Sequence, residues 1–94
     1  MRMTLSSAHF NIQPNYGAWT QITTQKNSRD YLMITNTGKP DLWIDFNGTQ
    51  DETESVSLPA GTSMDFGRTG VRNEISARSK RLIQGSVEVL TDVL

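Results

Sequence analysis

Apolar residues along this chain recur at every second position, in runs separated by short clusters of turn-forming residues. Ala8, Phe10 and Ile12 alternate with His9 and Asn11, which predicts a strand over residues 8–12 with one apolar face. Pro14-Asn15-Tyr16-Gly17 then turns the chain into a second strand, Ala18 to Thr24, and Gln25-Lys26-Asn27-Ser28 supplies a polar connection. The third segment, Arg29 to Asn36, is apolar on both faces through Tyr31, Leu32, Met33 and Ile34, the mark of a central strand. After the turn Thr37-Gly38-Lys39-Pro40, Leu42, Ile44 and Phe46 point inward and Trp43 and Asp45 outward.

Asn47-Gly48 tolerates positive φ, and the acidic loop Thr49 to Glu54 follows. Val56 and Leu58 lead through Pro59-Ala60-Gly61 into Thr62 to Phe66, a pair that reads as a hairpin. Beyond Gly67-Arg68-Thr69-Gly70, Val71, Asn73, Ile75 and Ala77 alternate with Arg72, Glu74, Ser76 and Arg78. The basic loop Ser79-Lys80-Arg81 precedes a last strand, Leu82 to Leu90, in which Ile83, Gly85, Val87 and Val89 share a face. Helix periodicity is nearly absent. The expected fold is all-β, a single antiparallel, jelly-roll-like β-sandwich of about eight short strands. Its domain spans residues 8–90, with an N-terminal arm (1–7) and a C-terminal tail (91–94).

Composition narrows the function classes. A chain of 94 residues makes one domain. Without cysteine there is no disulfide framework, thiolate nucleophile or Cys-based metal site. A domain this small is marginal alone, so a homo-oligomer is expected. No apolar stretch is long enough for a membrane helix, and the first residues lack the apolar core of a signal peptide, so a soluble protein with no membrane partner is expected.

A net charge of -1 lacks the electrostatic footprint of a nucleic-acid binder. The charges are nonetheless segregated. Asp41, Asp45, Asp51, Glu52, Glu54 and Asp65 occupy residues 41–65 without a base, whereas Arg68, Arg72, Arg78, Lys80 and Arg81 face only Glu74 over residues 67–85. These are either ordinary solvated loops or complementary docking surfaces.

The chemistry of catalysis is missing from the pattern. His9 is the single histidine, and it lies on the polar face of the first strand, near the N-terminus, where a base for a hydrolytic triad is not expected. A zinc site would need several copies to donate His9 around a symmetry axis. Asp51-Glu52-Thr53-Glu54 lacks the spacing and glycine of a calcium loop and reads as a solvated tip. Gly61, Gly67 and Gly70 sit between strands, not at a helix start where a phosphate loop needs them. No enzyme, cofactor or metal is therefore expected. Tyr16, Trp19, Tyr31 and Trp43 are either packing residues or a surface for sugar stacking or protein docking, and outward Trp43 requires a covering loop or a partner.

The series Arg29-x-Tyr31-Leu32-x-Ile34-x-Asn36-x-Gly38, Leu42-Trp43-Ile44-x-Phe46, Leu58-x-Ala60-Gly61-Thr62, Ile75-x-Ala77 and Val87-Glu88-Val89-Leu90 resembles small β-sandwich virion proteins of tailed bacteriophages. The resemblance covers about residues 18–90, and the acidic segment at Asp51 and the basic loop at Lys80-Arg81 lie outside it. It implies a non-enzymatic virion component assembled in the host cytoplasm, of the decoration, cement, head-fibre or tail-associated type. Its implied partners are the major capsid protein or other virion proteins, with a trimer as the favoured oligomer. The partner-contact candidates are Trp43, Arg68, Arg72, Arg78, Lys80 and Arg81. The alternative from another class is a carbohydrate- or receptor-binding module using Tyr16, Trp19 and Trp43.

Overall fold

The structure is a computed structural model that describes residues 5–15, 17–23, 29–69 and 74–92, with the side chains of 29–30, 66–69 and 92 outside the description. The described residues form eight strands: β1 (Leu5–Ile12), β2 (Thr20–Thr23), β3 (Arg29–Asn36), β4 (Leu42–Asp45), β5 (Val56–Leu58), β6 (Ser63–Thr69), β7 (Ile75–Ser79) and β8 (Gly85–Asp92). They build two four-stranded antiparallel sheets, ordered β1-β8-β3-β6 and β2-β7-β4-β5.

The order has a simple origin. The chain folds as one long antiparallel ribbon with β4 and β5 at its tip, so that β1 pairs with β8, β2 with β7, β3 with β6 and β4 with β5. Successive pairs fall in alternate sheets, and the β3–β8 and β4–β7 ladders join them. This is the jelly-roll arrangement, a β-sandwich of two interlocked Greek keys. The expected all-β sandwich is thus the observed fold, with β3 central in its sheet as its two apolar faces require.

The alternation places the core. Ile12, Ile22, Leu32, Ile34, Leu42, Ile44, Leu58, Ile75, Ala77, Val87 and Val89 are buried between the sheets, with Phe10, Phe46 and Met64 packed against them. Gly85 lies so close to this layer that a Cβ would stand 2.8 Å from Leu42 Cδ2. A side chain there would have to push the end of buried Leu42 aside.

Four local expectations change. The β5 and β6 segments are not a hairpin, because β5 pairs with β4 in one sheet and β6 with β3 in the other. The turn between them carries the chain across the sandwich, with Gly61 at φ 76 and its N–H on Asn36 C=O at 3.1 Å. The last strand starts at Gly85 instead of Leu82, so Leu82 and Ile83 are exposed loop residues rather than strand residues.

Asp45 and Ser76 lie on the outer face of their sheet, as alternation predicts, yet both are buried. The β4–β5 connection folds back over them: Gln50 N–H donates to Asp45 Oδ2 at 2.7 Å, and Gln50 Nε2 reaches Ser76 Oγ at 3.5 Å. The outer pair of strands is also longer than expected, β1 beginning at Leu5 and β8 ending at Asp92 in continuous register. The part of the seventh strand expected over Val71 to Asn73 lies outside the described residues.

Candidate docking surface

Two surfaces gather the residues that the sequence singles out. The first is the outer face of the β2-β7-β4-β5 sheet. Cross-strand register sets Trp43 on β4 between Arg78 on β7 and Ser57 on β5. Neighbours on one face of a sheet are close enough for their side chains to meet. Lys80, just past β7, stands with Nζ 4.0 Å from the centroid of the Trp43 ring and donates to Ser57 Oγ at 2.6 Å. Arg78 lies over Trp19 at 5.8 Å. Both cations therefore sit against tryptophans of their own chain.

The acidic loop joins this surface. Its short 3-10 turn (Glu52–Glu54) is capped by Asp51, whose carboxylate accepts from Thr53 N–H at 2.9 Å and Thr53 Oγ1 at 2.8 Å. The Thr53 hydroxyl, then its amide, holds the Asp51 carboxyl below the usual aspartate range. Glu52 Oε1 lies 3.7 Å from Arg78 and accepts from Asn15 Nδ2 at 3.4 Å. Part of the segregated charge is thus matched inside the chain. The Arg78 Nε is buried without a hydrogen-bond partner among the described residues. Glu52 also ties the loop to the β1–β2 turn, because Asn15 Nδ2 further donates to Ser79 C=O at 3.2 Å.

The second surface is one end of the roll, where the β1–β2, β3–β4, β5–β6 and β7–β8 connections meet. The β7–β8 loop is braced from both sides. Asn15 N–H donates to Arg81 C=O at 2.8 Å, Ser79 N–H to Gln13 C=O at 3.2 Å, and Lys80 N–H to Asp41 C=O at 3.0 Å. Ser79 Oγ donates to Arg81 C=O at 3.0 Å and accepts from Arg81 N–H at 3.1 Å. The tip of this braced loop presents Leu82, 72% exposed, and Ile83, 46% exposed, next to exposed Arg81. Adjacent exposed aliphatics on a fixed loop form a ready contact patch, since little ordering entropy remains to be lost on docking.

Of the partner-contact candidates, Trp43, Arg78 and Lys80 come together on the sheet face, and Arg81 stands at the adjoining end. Arg68 belongs to β6 in the opposite sheet, with its side chain outside the described residues, as is Arg72. Tyr16 also lies outside them. His9 is exposed on β1, and no group of three or more His, Asp or Glu residues able to hold a metal ion exists among the described residues. Sequence reasoning missed Leu82 and Ile83. Their position fits the period of the last strand, and only the bracing by Ser79 and Asn15 lifts them off the sheet.

No family model matches this chain, and no curated protein sequence matches it. Among solved structures, a chain described under "Bacillus endospore appendages form a novel family of disulfide-linked pili" aligns with 100% of this chain and 92% of its own length, at 14% identity and a TM-score of 0.45.

Proposed function

We propose that this chain is a non-enzymatic structural protein of a bacteriophage particle, a decoration or cement module that docks on the shell through the braced end of its jelly roll. The observation that carries this reading is the exposed Leu82–Ile83 tip, held rigid and flanked by Arg81. Burying these aliphatics against a partner removes apolar area from water, and a loop already fixed loses little entropy on docking. Support also comes from the motif series, whose Asn36, Gly38 and Gly61 all serve the loops at that same end. Jelly rolls occur both as capsid domains and as lectins, so the fold leaves both function classes open. The sugar-binding alternative draws less support, since Lys80 stands over the Trp43 ring where a sugar would stack.

The test is co-sedimentation with purified empty phage shells over a salt series. The unmodified protein should pellet with shells, and the Leu82→Ser/Ile83→Ser variant should stay in the supernatant. If the unmodified protein ignores shells at every salt concentration, the proposal fails.

A further inference from the structure

The outer edge of β1 pairs with no other described strand, and its backbone polarity follows from the neighbouring ladders. Thr37 N–H donates to Ser86 C=O, and Asn36 N–H donates to Thr62 C=O. Odd-numbered residues of β3 and its continuation therefore turn their peptide groups toward β8, and even-numbered ones toward β6. In antiparallel ladders the residues of a hydrogen-bonded pair face each other. Ser86, Glu88 and Leu90 thus address β3. Because β8 keeps unbroken register with both neighbours, Gly85, Val87, Val89 and Thr91 address β1, where they meet Ile12, Phe10, Ala8 and Ser6. Leu5, Ser7, His9 and Asn11 are left with N–H and C=O pointing away from the sheet.

Natural sheets protect such edges with charges, proline, bulges or shortness. The other edges here are protected. β5 has three residues, β2 has four with a register shift, and β6 carries Asp65 and Arg68 and shifts register twice against β3. β1 has eight residues in continuous register, with no Lys, Arg, Asp, Glu or Pro.

We infer that β1 is a self-association edge, and that its occupant is β1 of a second copy, antiparallel about a two-fold axis through Ala8. This register places Ser7 opposite His9 of the partner subunit, and Leu5 opposite Asn11 of the partner subunit. Every outward peptide group then meets another, and all these side chains remain on the outer face. A second copy suits the edge for two reasons found on β1 itself. A strand without Lys, Arg, Asp or Glu sets no fixed like charges opposite one another when it faces itself. A two-fold pairing also consumes the same edge on both copies, so it closes at a dimer and does not propagate. The β1-β8-β3-β6 sheets of the two copies become one continuous sheet. This inference is independent of shell docking, which uses the loop tip at Leu82 and Ile83 and not the edge of β1.

The outward direction of the Ser7 amide makes the test specific. Proline is tolerated on an edge strand where its missing N–H faced solvent, and is disruptive where it bonded a neighbour. Sedimentation velocity on the unmodified protein should show a concentration-dependent dimer. Ser7→Pro should weaken self-association at least about tenfold, because each dimer loses a ladder hydrogen bond at both copies. Its far-ultraviolet spectrum and unfolding midpoint, measured in dilute solution, should match those of the unmodified monomer. Ser7→Lys is the second variant, expected to weaken the dimer through edge charge with no backbone change. Amide exchange supplies an independent reading: Ser7, His9 and Asn11 should be unprotected when dilute and protected when concentrated, with Ala8 and Phe10 protected throughout. A monomer at all concentrations, a closed oligomer of another number, or a dimer indifferent to both variants would each overturn the inference.

Discussion

The carboxamide of Asn36 on β3 donates through Nδ2 to the carbonyl of Leu58 on β5, at 3.0 Å, and so ties one sheet to the other inside the roll. The same Nδ2 donates to Pro40 C=O at 2.9 Å, and Oδ1 accepts from Gly38 N–H at 3.0 Å. The side chain is fully buried, and its three hydrogen bonds all go to backbone groups. Asn36→Ala withdraws these partners at once. Each buried polar group left unpaired costs about 1–3 kcal/mol, so the variant should lose roughly 3 kcal/mol or more of stability, read as a lower urea midpoint. Asn36→Asp should be at least as damaging, because it turns a carboxylate toward two carbonyls.

Asp45 makes a second buried anchor. Its oxygens accept from Asn47 N–H at 2.9 Å and Gln50 N–H at 2.7 Å, holding Gln50 at φ 54. A non-glycine residue in that region is strained unless its surroundings fix it. Asp45→Ala should cost about 3 kcal/mol, since two amides lose their acceptor. Exchange at the Asn47 and Gln50 amides should accelerate more than exchange in the core strands, as the loop lifts from Ser76. Uniform acceleration across the chain would mean that Asp45 supports the whole fold rather than the loop.

Lys80 covers Trp43. Lys80→Ala should raise acrylamide quenching of tryptophan fluorescence, with Trp19 as a constant background. The accompanying loss of stability should be about 0.5–1 kcal/mol, the usual range for an exposed cation–π pair. Unchanged quenching would show that Lys80 does not shield the ring in solution.

The Asp51 cap carries a pH signature. Its carboxyl is held below the usual range by Thr53, so its contribution to the loop is complete above the ordinary aspartate pKa and lost as pH falls through the lowered value. Thr53→Val removes the hydroxyl and keeps the amide. A carboxyl-carbon titration should then move the Asp51 pKa upward, toward the ordinary aspartate value. No movement would assign the depression to another group.

Leu82 and Ile83 should contribute little to the monomer. Replacing both with serine should leave the unfolding midpoint within about 0.5 kcal/mol of the original in free-energy terms, as is usual for exposed positions. A larger loss would show that the tip packs on its own domain instead of serving a partner.

Period-two alternation located eight strand segments and most of the core, though not the strand ends, because the side-chain direction of a strand is a local property. Ile12, Leu42, Ile44, Ala77 and Val87 all point inward as their positions predict. The continuous apolar run Tyr31 to Ile34 likewise marks β3 as central before any fold is known. Pairing was decided elsewhere. Whether Pro59-Ala60-Gly61 turns within a sheet or steps between sheets depends on Asn36, which is remote in sequence and holds both Leu58 and Gly61.

The surfaces were legible in the same unequal way. Trp43, Arg78 and Lys80 were recognisable as outward residues, but register alone brings them into one cluster and sets Lys80 on the ring. Burial of Asp45 and Ser76 required the β4–β5 connection to fold back, and exposure of Leu82 and Ile83 required Ser79 to close its loop. Alternation reports the direction in which a side chain leaves its strand. What lies in that direction is set by residues distant in the chain, and only the tertiary structure brings them there.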